Sequence, residues 1–338
     1  MLKLKVKASK KYQIIIDDSL GGLSNFSNLL TGDKVAVIVD ENVHKLYPNA
    51  LDSFLSGKEK KEYVVKSGEQ SKSPEVYLSI LENLLNDGFK RKDTVIAFGG
   101  GVVGDLAGFI SATYMRGINL IQIPTTILSA VDSSVGGKTA INLGGAKNIV
   151  GAFYQPSLVY INLSFFKTLP NREIYSGKGE ILKYAFLSKS VTPEMVNGEI
   201  SERLIYECVK IKRDIVNKDE KENSVRALLN LGHTVGHAIE SLSCLKLSHG
   251  ECVAIGLKYA VDLSVKLYDI KNGEIEKMQN LLSLYGKDLS VEYSKDQILE
   301  KIKLDKKGQG DKIKFITLKG VGKAQIHTLT ISEIGKLI

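Results

Sequence analysis

The chain opens by alternating lysine with apolar side chains, MLKLKVKASKKYQIII. A period of two marks a strand with one wet face. Lys34 to Asp40 (KVAVIVD), Glu62 to Val65 (EYVV), Asp93 to Phe98 (DTVIAF) and Asn119 to Ile123 (NLIQI, stopped by Pro124) are short apolar runs of buried-strand length. Between the second and third, residues 74–86 carry leucine and isoleucine at helical spacing behind Pro74, a residue suited to a first helical turn. A second helical stretch follows the glycines after Phe98. Buried strands alternating with helices predict a mostly parallel sheet with helices on its faces. From about Asn171 helical patterns dominate, over Leu204–Val216, Val225–Ser243, Glu251–Leu267 and Gly273–Leu282. KIKFITL (312–318) and AQIHTL (324–329) read as a closing strand pair. The predicted architecture is an α/β N-terminal domain, residues 1–166, followed by a mainly α-helical C-terminal domain, residues 167–338.

Composition narrows the class. Of 338 residues, 25% are charged and 43% apolar, the profile of a globular chain large enough for two cores. No apolar run approaches the ~20 residues that span a bilayer, and the lysine-broken N-terminus is unlike a signal peptide. The expected address is the cytoplasm. Cys208, Cys244 and Cys252 are odd in number and lack C-x-x-C spacing, so no disulfide framework is expected. The net charge of +8 comes from scattered lysines, without interleaved aromatics and without tryptophan. That speaks against nucleic acid and suits a small anionic substrate met by a positive cleft.

Three glycine-bearing segments carry candidate chemistry. Gly99 to Asp105 (GGGVVGD) follows a strand, opens a helix and satisfies G-x-G-x-x-G, a pattern that lets backbone N–H groups approach a phosphate. Alone it is a weak signal, since glycine also serves bare turns. Ser67 to Lys72 (SGEQSK) precedes another helix. Asp40 ends a strand where a ribose hydroxyl would be accepted, although an Asx turn or helix cap explains it equally well. The third segment holds Thr125, Thr126, Asp132, Gly136, Gly137 and Lys138. It is not a P-loop, because Asp132 stands where that motif needs glycine. Lys138 with Lys147 and Asn148 suggests an anion site, against the plainer reading of a solvated loop.

Histidine is scarce, at five residues, yet His233, His237 and His249 fall within seventeen positions. His233 and His237 share one helical face, a spacing at which two imidazoles converge on a divalent ion. The H-E-x-x-H glutamate of zinc proteases is missing. Spacing leaves the ligand set open: all three histidines, or two with a carboxylate such as Glu180 or Glu240, the third serving as base or phosphate donor.

GGGVVGDLAG from Gly99, QIPTTILSAVDSSVGGKTAIN from Gln122, GAFYQP from Gly151, KTLP from Lys167, LNLGHTVGHAIE from Leu229 and LSHGECVAIG from Leu247 together resemble the 3-dehydroquinate synthase family of sugar phosphate cyclases, from about Asp40 to Lys323. The resemblance implies a dehydroquinate synthase-like fold, NAD, and zinc with cobalt as the alternative. It implies Glu180, His233 and His249 as metal ligands. It implies NAD contacts at Asp40, Asn42, Glu69, Lys72, Gly101, Val102, Val103, Gly104, Asp105, Thr125, Thr126, Lys138, Lys147, Phe165, Phe166, Lys167 and Thr168. Asp132, Lys138, Asn148, Lys183, Lys212, Glu222, Arg226, Asn230, His237 and Lys306, which Lys307 adjoins, correspond to substrate residues. Arg116 resembles a residue supplied by the neighbouring subunit of a homodimer. The implied substrate is 3-deoxy-D-arabino-heptulosonate 7-phosphate. The implied course is alcohol oxidation, phosphate elimination, ketone reduction, ring opening and intramolecular aldol closure, with NAD reduced and regenerated. One block departs: Ser176-Gly177-Lys178-Gly179 precedes Glu180 where the family carries an apolar residue and alanine, so Lys178 is either solvated or perturbs the local backbone. The rival readings are a cyclase whose substrate lacks a carboxylate, disfavoured by Arg226 and Lys212, a glycerol dehydrogenase-type enzyme, and a nucleic-acid-binding protein suggested by charge alone.

Overall fold

The computed structural model describes residues 1–244, 246–305 and 312–338. It separates into two compact units, Met1–Leu169 with Ser201–Glu220, and Pro170–Ile200 with Lys221–Ile338.

The first unit is built on a seven-stranded sheet of β1 (Leu2–Lys7), β2 (Lys11–Asp17), β3 (Lys34–Asp40), β4 (Glu59–Val65), β5 (Thr94–Gly99), β6 (Asn119–Pro124) and, further along, β9 (Leu158–Asn162). Its order is β1-β2-β9-β6-β5-β3-β4. The opening hairpin β1–β2 is antiparallel and every other pairing is parallel. Strands β5 and β9 are buried along their whole length, as their unbroken apolar runs require. A separate antiparallel hairpin, β7 (Lys138–Leu143) and β8 (Ala146–Phe153), lies against α3 (Gly101–Thr113). The other early helices are α1 (Glu41–Leu46) and α2 (Pro74–Asn86). Gly108 lets α3 approach the hairpin closely: a Cβ there would lie 2.3 Å from Thr139 Cγ2.

After α4 (Asn171–Leu187) and α5 (Pro193–Asn197), which belong to the second unit, the chain returns to the first with α6 (Glu202–Lys218). The hydrophobic pattern places that helix in the C-terminal half. It packs instead on β1 and β2, where Arg213 donates to the Lys5 carbonyl at 3.1 Å and Asn217 Oδ1 accepts from the Lys7 amide at 2.6 Å.

The second unit is mainly helical: α7 (His233–Ser243), α8 (His249–Leu267), α9 (Asn272–Ser283), α10 (Lys295–Asp305) and α11 (Ile331–Leu337) accompany α4 and α5. The antiparallel pair β10 (Lys312–Leu318) and β11 (Ala324–Thr330) packs beside α8. The pattern predicts one helix over 225–243. The structure has a 3₁₀ turn over Val225–Asn230, a left-handed Gly232 at φ 79°, and only then α7. A Cβ on Gly232 would lie 2.9 Å from the Val253 carbonyl, so the break follows from close approach to α8. Among the described residues no helix is long and apolar enough to cross a membrane.

Candidate active site

Three helices of the second unit converge on one group. Glu180 lies in the middle of α4, His233 is the first residue of α7 and His249 the first of α8. Glycine inside a helix costs about 1 kcal/mol against alanine, yet α4 contains Gly177 and Gly179. For Gly179 the reason is contact: a Cβ there would sit 2.0 Å from the Gly250 carbonyl oxygen, and one on Gly250 would sit 1.8 Å from the Ser176 carbonyl oxygen. The glycine at 179 in the departing block is thereby explained. At this spacing an alanine at 179 does not fit, while half-exposed Lys178 rides on an unbroken helix. The start of α8 is fixed by a capping box, Ser248 Oγ accepting from the Glu251 amide and Glu251 accepting from the Ser248 amide.

Glu180 is fully buried. Its Oε1 lies 3.4 Å from His233 Nε2 and 3.2 Å from His249 Nε2. The three offered atoms fall within 4.8 Å of one another. His233 Nδ1 lies 3.1 Å from the Leu231 carbonyl and His249 Nδ1 lies 3.2 Å from Glu240 Oε2. Each acceptor takes the Nδ1–H hydrogen bond and leaves Nε2 turned toward Glu180, the nitrogen that would bind a metal after giving up its proton, as such acceptors orient metal-binding imidazoles. Lys183 Nζ stands 2.5 Å from Glu180 Oε2. Burial alone would raise the Glu180 carboxyl. Lys183 and the two imidazoles outweigh it and hold the group well below the ordinary range. Burial would likewise lower His249, but Glu180 and Glu240 raise it to about 10.

His237, one turn along α7, sets its ring edge-on to that of His233 at 5.3 Å and tilted to that of His249 at 5.9 Å. With Glu240 and His249 it forms a second group of possible ligands. The two carboxylates address opposite nitrogens of His249, so one ion does not use both. A third group, Asp17, Asp18 and Glu202, lies in the first unit and is met by the terminal ammonium, 3.6 Å from Asp17 and 3.4 Å from Glu202. Because Glu240 orients His249, replacing it with leucine is expected to weaken zinc binding about 10- to 100-fold. A competition titration with a chelating dye reads this; unchanged affinity would show that Glu240 leaves the ligand alone.

Other expected residues of the second unit are Lys183 and Arg226, both buried, and Asn230, whose Nδ2 donates to Glu222 Oε1 at 2.6 Å. Glu222 sits at φ 60°, a left-handed backbone unusual outside glycine. Lys306 and Lys307 lie outside the described residues.

In the first unit the strand ends gather the nucleotide-type residues. Asp40 caps α1, its Oδ1 accepting from the amides of Asn42 at 2.8 Å and Val43 at 3.4 Å, while Ser67 Oγ donates to its Oδ2 at 2.6 Å. The helix-cap reading of Asp40 is therefore present, and the acid is held at the end of β3. No side chain caps α3, whose N-terminus follows Gly100, so its first amides are of the kind that meet an anion. Val103 is buried beneath Gly99, and Phe165 packs its ring against Tyr47 at 4.9 Å and Phe98 at 5.3 Å. Of residues 165–168 only Lys167 and Thr168 are exposed, and Thr168 Oγ1 bonds Tyr47 at 2.8 Å. Thr125 is buried, and Thr126 Oγ1 pairs with Ser129 Oγ at 2.9 Å.

Buried Lys72 joins Asp105 at 2.7 Å, Glu69 at 3.7 Å and the Asn148 side chain. Burial raises the Asp105 carboxyl above its ordinary value, with Lys72 pulling the other way. Lys212 of α6 reaches Asp132, contacting its carboxylate at 2.9 Å and its carbonyl at 2.6 Å. Lys138, Lys147 and Asn148 are exposed on the hairpin, and exposed Arg116 follows α3 at φ 64°. Asn142, on β7, joins this network and is absent from the residues expected from sequence. Its signal was faint: an asparagine ending the alternation of β7 just before Gly144-Gly145.

Residues 62–176 match the family model described as 3-dehydroquinate synthase N-terminal, and residues 177–308 the one described as 3-dehydroquinate synthase C-terminal. The chain belongs to the 3-dehydroquinate synthase family. It is 44% identical over 321 residues to the 3-dehydroquinate synthase of Thermoanaerobacter pseudethanolicus, covering 90% of each chain. Among solved structures it resembles 2-deoxy-scyllo-inosose synthase complexed with carbaglucose-6-phosphate, NAD+ and Co2+, with a TM-score of 0.89, 24% identity and 99% of each chain covered. It also resembles 2-epi-5-epi-valiolone synthase from Streptomyces hygroscopicus with NAD+ and Zn2+ bound, with a TM-score of 0.86, 22% identity, and coverage of 99% of this chain and 98% of that one. At these identities the two structures establish the shared fold.

Proposed function

We propose that this chain is a 3-dehydroquinate synthase, converting 3-deoxy-D-arabino-heptulosonate 7-phosphate to 3-dehydroquinate and phosphate in the biosynthesis of aromatic compounds. The observation that carries the reading is a buried Glu180 facing two inward-turned imidazoles in a chain whose relatives bear that name over nine-tenths of its length.

One carboxylate oxygen and two imidazole nitrogens suit zinc or cobalt and leave a coordination position open. Glu180, His233 and His249 would hold that ion, which when bound acidifies and polarises substrate oxygens. NAD, held by the strand ends and the α3 N-terminus, supplies a hydride acceptor that is regenerated within the cycle. Asp40 would accept from the ribose, and the uncapped amides at Gly101, Val102 and Val103 would meet the pyrophosphate. Lys138 and Asn148 would bind the departing phosphate, and charge-assisted bonds there favour its release. Arg226 suits the substrate carboxylate because its guanidinium offers two parallel donors. The supporting facts are that Lys183 and Arg226 are buried cations, and that Glu222 and Asn148 are both held at positive φ, a backbone strain common at active sites. Exposed Arg116 would serve a neighbouring copy in a homodimer, and the enzyme would work in the cytoplasm.

The purified protein is expected to release phosphate from the heptulosonate phosphate with no net accumulation of NADH. A chelator should stop release and zinc or cobalt should restore it, while glucose 6-phosphate yields none. Stoichiometric NADH, or turnover of glucose 6-phosphate instead, would move the chain to one of the rival activities.

A further inference from the structure

The hairpin β7–β8 pairs in register from Lys138 opposite Phe153 to Ile141 opposite Val150, then slips, so that Leu143 faces Ala146. Asn142 sits at the slip. Three residues of β8, 147–149, stand against the single Asn142 of β7, so the bulge lies at Asn148 and Asn142 faces it; at Asn142 both backbone and side chain are turned to other partners. The freed backbone amide donates to the Lys72 carbonyl at 2.8 Å. The side-chain amide donates to Glu69 Oε1 at 2.8 Å, and Oδ1 accepts from the Asn148 backbone amide at 2.8 Å. The partners fix which way the side chain points, since a carboxylate only accepts and a backbone N–H only donates. Asn148 rests at φ 56°, a conformation that persists in L-residues when neighbours over-determine it. The Lys72 ammonium closes the ring by donating to Asn148 Oδ1 while paired with Asp105.

We propose that Asn142 is a positioning residue that joins the 67–72 turn to Asn148, so that the nucleotide-side and phosphate-side groups of the first unit are set by one side chain. This rests on the functional reading above. The position calls for asparagine in particular. Alanine leaves the Asn148 amide and Glu69 without this partner. Aspartate keeps the acceptor for Asn148 but turns a second carboxylate on Glu69. The side chain reaches substrate and cofactor through Glu69, Lys72 and Asn148, so its loss should change affinities more than folding.

The test compares Asn142→Ala with Asn142→Asp, each measured for NAD binding, for steady-state parameters with the heptulosonate phosphate, and for thermal unfolding. Asn142→Ala should weaken NAD about tenfold, the loss of one charge-assisted hydrogen bond, and raise the substrate KM, with an unchanged unfolding midpoint. Asn142→Asp should return the substrate KM to near the parent value and leave NAD weak. Hydrogen exchange of the Asn148 amide should speed up in the alanine variant and not in the aspartate one. The proposal fails if Asn142→Ala keeps both affinities within about twofold, or if the two variants lose KM, NAD affinity and unfolding midpoint in equal proportion, as a general packing defect would. A parent protein that neither binds NAD nor releases phosphate overturns the functional reading instead, and the exchange measurement still decides the role of Asn142.

Discussion

His233→Ala is expected to lose the bound metal and the activity together, with turnover down by about a thousandfold or more. His233 is 9% exposed, and its Nδ1 bond to the Leu231 carbonyl makes Nε2 the available nitrogen, 3.4 Å from Glu180. Without it the site keeps one imidazole and one carboxylate, and the carboxylate already answers to Lys183 at 2.5 Å. Two ligands, one of them shared with an ammonium, hold zinc poorly. The informative comparison is His237→Ala, one turn away on the same helix. There the metal should remain and turnover should fall about a hundredfold, the scale of a lost proton-transfer or phosphate-binding group. Metal analysis after exhaustive dialysis separates the outcomes. Tightly held zinc in His233→Ala would remove it from the ligand set. Loss of zinc in His237→Ala would instead favour the group of His237, Glu240 and His249.

Much of this site was legible because its parts are local. Short apolar runs mark β3, β5 and β6, and the polar residues at their ends are the nucleotide-side candidates. The motif GHTVGH announces a metal-type helix face. What spacing could not choose was the carboxylate. Glu180 stands 53 positions before His233, and it reaches the imidazoles because three helix backbones touch through glycines. No periodicity in the chain encodes that distance, and the choice came from the family resemblance. The same limit explains α6. Its amphipathic pattern says that one face is buried, but the pattern is silent on whether β1 or a helix of the second unit covers it. Asn142 escaped for another reason: a residue that acts from opposite a bulge looks, in sequence, like an ordinary strand end.

Those glycines set up the second large effect. Gly250→Ala is expected to cost about 3 kcal/mol or more of stability and to remove the metal site. The added Cβ would stand 1.8 Å from the Ser176 carbonyl oxygen, 2.5 Å from its carbon and 2.7 Å from its Cα. All three are backbone atoms, so no rotamer change relieves the overlap and α4 must move away from α8. Glu180 travels with α4 and His249 with α8, and the 3.2 Å contact between them opens. Gly256→Ala should act alike on the other side of α8, where the Cβ would lie 1.8 Å from the Gly232 carbonyl oxygen and 2.9 Å from the Gly236 amide nitrogen, forcing α7 and His233 outward. Gly273→Ala is the control. That glycine is helical too, in α9, with nothing within 4 Å of the added carbon. It should be neutral or stabilising by about 0.5 kcal/mol, since alanine restricts the unfolded chain. Denaturant unfolding with metal analysis on the three variants tests whether contact between backbones, rather than helix propensity, keeps these glycines. Parent-like stability and zinc content in Gly250→Ala would show that α4 and α8 do not need to touch for Glu180 to reach the metal.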